Sequence, residues 1–121
     1  MIELIVSPTP RVVAFRVTGK IDHADFDAIL PVMEQAAADH ETISLYVELD
    51  EWRGMTAKAL LEDLKIGVSM TRSIQREAIV TNQKLLKTWT GIAGKLWPGV
   101  EARAFSPVDK EAAMTWAAAK L

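Results

Sequence analysis

The chain has 121 residues, half of them hydrophobic, which suits one compact domain with a core of its own. It contains no cysteine, so disulfides and thiolate metal sites are excluded, and its formal net charge is −2. That total conceals an asymmetry. From Lys20 to Asp63 eleven acids face three bases, a net of −8, whereas from Leu64 to Pro98 six bases face Glu77 alone, a net of +5. Either the two halves intermix on the surface, or a basic face is aimed at an anionic ligand or surface.

Ile2 to Ser7 reads as a strand, with Ile2, Leu4 and Val6 alternating, stopped by Pro8-Thr9-Pro10. Arg11 to Thr18 reads as a second strand, with Val13, Phe15 and Val17 on one face and Gly19 at its end. The link is too short for a crossover, so these strands are expected to be antiparallel neighbours. Asp22 opens a helix in a capping-box-like pair with Asp25. Phe26, Ile29, Leu30, Met33 and Ala37 form its core stripe, and Pro31 lies inside it.

Ile43 to Leu49 reads as a central buried strand, with Ile43, Leu45, Val47 and Leu49 on one face and Tyr46 and Glu48 on the other. Asp50 to Met55 reads as a turn, with Gly54 free to take positive φ. Thr56 is placed to cap a helix over 56–72 whose core stripe runs from Ala57 to Val68. A fourth strand, Gln75 to Thr81, leads to a helix over 84–97 closed by Pro98-Gly99. Val100 to Phe105 alternates as a fifth strand. Ser106-Pro107-Val108-Asp109 then starts a last helix carrying Ala112, Ala113, Trp116 and Leu121. The order ββαβαβαβα implies an α/β fold, a single domain over 1–121 with a mainly parallel sheet.

The chain resembles the SpoIIAA-like proteins, relatives of the STAS-domain fold. The resemblance rests on Gly19-Lys20-Ile21, Pro31, the run Asp63-Leu64-Lys65-Ile66-Gly67, Arg76, Ala78-Ile79-Val80, and the closing Phe105, Ala112 and Trp116. It covers essentially the whole chain. It implies a mixed sheet flanked by helices, binding of lipophilic ligands, and association with membranes through hydrophobic helices that open and close. Two departures stand out. Asn82-Gln83-Lys84-Leu85 follows the fourth strand where an acid and a tryptophan are expected, and Glu77 replaces an aliphatic residue.

Within 84–97 the apolar residues Leu85, Trp89, Ile92, Leu96 and Trp97 share one arc, and Lys84, Lys87 and Lys95 lie on an opposite arc without a single acid. Ile66 and Met70 lie away from the core stripe of 56–72. The bland account is two core helices packed together. The sharper one is a clamp over a lipophilic ligand or an anionic membrane surface, the apolar set binding and the lysines steering. A protein partner or a homodimer would also cover the same apolar surface.

The polar candidates are weaker. Asp50 and Glu51 lie at the end of the central strand, where paired carboxylates do acid–base work but acidic turns are commoner. Arg76 is a candidate partner for a half-buried Glu48. Asp63 and Lys65 are two apart on a helix and do not face each other. His23 and His40 lack metal-ligand spacing, no nucleotide or hydrolase motif is present, and the acidic total disfavours nucleic acid. The sequence therefore leads us to expect a cytoplasmic domain, peripheral to membrane at most, without cofactor or catalysis. The alternative is a STAS-type interaction module related to anti-sigma-factor antagonists. Such antagonists carry a phosphorylatable serine after an aspartate, where this chain offers only Thr56.

Overall fold

The computed structural model describes residues 1–55, 73–82 and 100–119. Within them run β1 (Ile2–Leu4), β2 (Val12–Ile21), α1 (His23–Asp39), β3 (Ile43–Met55), β4 (Ile74–Val80), β5 (Glu101–Phe105), a 3-10 turn (Pro107–Asp109) and α2 (Lys110–Ala118). The helices expected over 56–72 and 84–97 lie outside the described residues.

The five strands form one mixed sheet in the order β1-β2-β3-β4-β5. β1 is antiparallel to β2, as the short link requires, and the remaining pairs are parallel. Hydroxyls hold the link itself: Ser7 Oγ donates to the Thr9 carbonyl at 2.7 Å, and Arg11 N–H donates to Thr9 Oγ1 at 3.5 Å.

Strand alternation sorts the core into two layers. Val13, Phe15, Val17, Leu45 and Val47 meet Phe26, Ile29 and Met33 of α1. Val12, Ala14, Tyr46, Ala78 and Val80 meet Ala113 and Ala117 of α2 on the other layer. α1 begins where expected: Asp22 Oδ1 accepts from Asp25 N–H at 3.2 Å, and Asp25 Oδ2 accepts from Asp22 N–H at 2.9 Å. Pro31 sits within the assigned helix, where its missing N–H deprives the Asp27 carbonyl of its usual donor.

Four expectations are corrected. β1 ends at Leu4, and Leu4 and Val6 are exposed, because Ile2 and Ile5 are the residues that pack on the core. β2 continues beyond Gly19 to Ile21, and β3 continues beyond Leu49 to Met55, so the residues read as a turn are strand. The two extensions pair with each other, Gly19 with Trp52 and Ile21 with Met55, through register shifts on either side of Gly19. In the closing helix Ala117 is buried with Ala113, and Ala112 is exposed.

Gly19 takes φ of 69°, the left-handed region, with nothing within 4 Å of a Cβ placed there. Space is therefore not the constraint; backbone conformation is. Gly19→Val is expected to cost about 1–2 kcal/mol in urea unfolding. An unchanged midpoint would mean that the bulge tolerates a side chain.

Candidate functional site

Among the described residues the buried charged side chain, Glu48, lies on the α2 side of the sheet. Alternation puts Arg16 of β2 and Tyr46 and Glu48 of β3 on this face, and the register sets Arg16 beside Glu48 with Val80 on its other flank. The 3-10 turn then delivers Lys110, the first residue of α2, over the same point. Arg16, Glu48, Leu49, Asp50, Val80, Pro107 and Lys110 line a depression of about 140 Å³ there.

Glu48 is the centre of the arrangement, with a side chain only 9 % exposed. Its Oε1 accepts from Arg16 Nη2 at 3.3 Å and meets Lys110 Nζ at 3.2 Å. Its Oε2 accepts from the Tyr46 hydroxyl at 3.0 Å. Burial alone would raise the pKa of this carboxyl, but the Tyr46 hydrogen bond and the Lys110 and Arg16 charges outweigh it and hold the carboxyl below its ordinary range. Tyr46 moves the opposite way. Burial, its bond to Glu48 and the Glu48 charge all keep the phenol protonated, with Arg16 a minor opposing influence.

The result is an ionised carboxylate locked between a neutral phenol and two cations. Such a group does not cycle its proton near neutral pH, which is what acid–base work requires. It is built to anchor the start of α2 to the sheet.

Arginines hold the other end of α2. Arg76 Nη1 donates to the Trp116 carbonyl at 2.8 Å, and its guanidinium lies 4.8 Å from the centre of the Trp116 ring. Arg11 Nη2 donates to the Ala118 carbonyl. Cations thus meet the negative end of the helix dipole. This corrects the expected pairing of Arg76 with Glu48. Arg76 stands opposite Ser44, well down the strand from Glu48, and its ion pair is to Glu101 at 3.5 Å.

Sequence reasoning missed Arg16 and Lys110. The alternation that isolates Val13, Phe15 and Val17 also puts Arg16 on the same face as Tyr46 and Glu48, so a signal for Arg16 was present. Lys110 had none beyond its position after the helix start. Asp50 is exposed at the rim of the depression. The apolar set Ile66, Met70, Leu85, Trp89, Ile92, Leu96 and Trp97 lies outside the described residues, as do Lys84, Lys87 and Lys95. Among the described residues no group of three His, Asp or Glu side chains is placed to hold a metal, and no helix is long and apolar enough to cross a membrane.

A mixed five-stranded sheet with helices on both faces, parallel from its second strand onward, defines an α/β domain of the STAS-like class. A SpoIIAA-like family model matches residues 12–118, and the chain belongs to that family. A solved structure from Shewanella loihica PV-4, an uncharacterised protein of the DUF3478 family with a SpoIIAA-like fold, is 28 % identical to it. That alignment covers 97 % of this chain and 92 % of the other, with a TM-score of 0.78. The unphosphorylated form of the anti-sigma factor antagonist SpoIIAA shares the fold at 12 % identity and a TM-score of 0.59, covering 93 % of this chain and 94 % of that one. No curated protein matches the chain.

Proposed function

We propose that this chain is a STAS-type protein-interaction module that works by docking to a partner rather than by turnover. The observation that carries this reading is the fold shared with SpoIIAA, an anti-sigma factor antagonist, over 93 % of the chain. The locked state of Glu48 supports the absence of catalysis, since the most buried carboxylate among the described residues is committed to anchoring α2. Thr56, next in sequence after β3, is the hydroxyl on which a phosphorylation switch would act.

A second reading is supported by sequence and family resemblance. In it the segments 56–72 and 84–97 close over a lipophilic molecule or rest on an anionic membrane, using the apolar and lysine sets given above.

Native mass spectrometry of the purified protein, combined with cross-linking in cells, separates the two readings. A stoichiometric protein partner is the expected result. A co-purified lipophilic molecule with no protein partner would replace the first reading by the second. Turnover of a hydrolase or transferase substrate that is lost on Asp50→Ala would overturn the non-catalytic assignment.

A further inference from the structure

A second surface lies on the far side of the molecule, along the outer face of α1. A groove of about 430 Å³ runs between the Pro8–Pro10 turn and the C-terminal half of that helix. It is shallow and open, lined by Pro10 of the turn and by Pro31, Val32, Gln35, Ala36 and Asp39 of α1, with His40 just beyond. Pro31 and Val32 are both exposed, the latter by 36 %. Helix faces turned to water usually carry long charged side chains, so an apolar strip here is unusual.

The charged side chains of α1 all have one sign. α1 contains Asp25, Asp27, Glu34 and Asp39 and neither Lys nor Arg. Asp25 is used in the N-terminal cap, whereas Asp27, Glu34 and Asp39 are exposed. Asp39 also stands in the last turn, at the negative end of the helix dipole, where a carboxylate is disfavoured and a cation is favoured. Its recorded partner is the neutral Gln35 amide, at 3.0 Å. Glu41 follows just beyond and is exposed. Arg11, next to Pro10 in the sequence, is turned away to the Ala118 carbonyl. The helix end thus has the electrostatics of a cation site without a cation on its own element.

From this combination we infer that the groove docks a basic amphipathic helix of a partner protein. Apolar side chains of that helix lie along Pro10, Pro31 and Val32, and its Lys or Arg residues meet Asp39, Glu34 and Glu41. The inference rests on the interaction-module reading and names the surface and the partner's chemistry. An anionic membrane is repelled by the same charges, and an acidic peptide likewise.

The test uses the full chain and a fluorescein-labelled 16-residue peptide with leucines at i, i+3, i+4 and i+7 and lysines elsewhere. Its control is a scrambled peptide of equal charge. Fluorescence anisotropy is read at low and moderate salt. The expected result is saturable binding that weakens with salt. It should be at least tenfold weaker for the scrambled peptide, for Val32→Asn, and for Asp39→Lys combined with Glu41→Lys. Circular dichroism confirms that these surface variants fold. Equal affinity for both peptides, affinity unchanged by the substitutions, or no binding by the wild type overturns the inference. So does self-association of the wild type that the same substitutions abolish, since the occupant is then a second copy. A cross-linked cellular partner retained by both variants removes the groove assignment and leaves the module reading standing. Failure of the module reading shows separately, as the absence of any cross-linked partner.

Discussion

Glu48→Ala is expected to destabilise the fold by about 3 kcal/mol, the low end of what breaking a buried ion pair costs, because both cations retain access to water. Arg16 and Lys110 are 39 % and 50 % exposed at their side chains and recover hydration. The buried Tyr46 hydroxyl does not, and leaving it without an acceptor costs about 1–3 kcal/mol of that total. Glu48→Gln keeps an acceptor for Tyr46 and should lose less. The pH dependence follows from the lowered carboxyl pKa. In the unfolded chain Glu48 takes up its proton near the ordinary value of 4.5, whereas in the fold it holds out to lower pH. The stabilisation is therefore fully present above that value and is lost as pH falls through the folded-state pKa. Urea unfolding of wild type and Glu48→Gln from pH 7 down to pH 3 checks this. The gap between the two should be constant at first and then narrow with acid. A gap that stays flat throughout would show that the carboxylate is not held ionised by its neighbours.

Ala113→Leu is expected to cost about 3 kcal/mol, the upper end of the usual penalty for overpacking. Ala113 is 0 % exposed and packs with Ala14, Tyr46 and Ala78, so at this point α2 contributes only a methyl group to its contact with the sheet. Three added carbons push the helix outward, and Lys110 moves with it, away from Glu48. A fall of roughly 10 °C in melting temperature is anticipated. Ala112→Leu is the control. Ala112 faces water, and its substitution should stay within about 0.5 kcal/mol. Equal losses at the two positions would mean that the buried face of α2 is wrongly assigned.

These two positions also show how far the sequence could be read. Local patterns were legible: the alternation of Val13, Phe15 and Val17, that of Ile43, Leu45 and Val47, the Asp22–Asp25 cap, and the stripe from Phe26 to Ala37. Each is decided within a turn or a few strand residues. What depended on distant parts of the chain was not. Asp50 to Gly54 has the composition of a turn, and only pairing with the bulged end of β2 keeps it extended. Glu48 was given the wrong arginine because lateral register is not written in either strand alone. The face of α2 was partly misjudged because alanine is small and apolar alike at Ala112, Ala113 and Ala117 and so does not mark the buried face by itself.

The strand order has a consequence for how the molecule forms. Because the sheet reads β1-β2-β3-β4-β5 in the order of synthesis, every described strand joins an edge already present and none must be threaded between two others. Neighbour-on-neighbour growth limits each pairing to a single crossover, so the sheet can extend strand by strand as the chain emerges. The last described piece to arrive is α2, bringing Lys110 to a carboxylate already in position on β3. Until then Glu48 has Arg16 and Tyr46 but not Lys110, so the docking of α2 completes the set of partners around this carboxylate. In the order of synthesis the charge cluster is thus completed last, by Lys110.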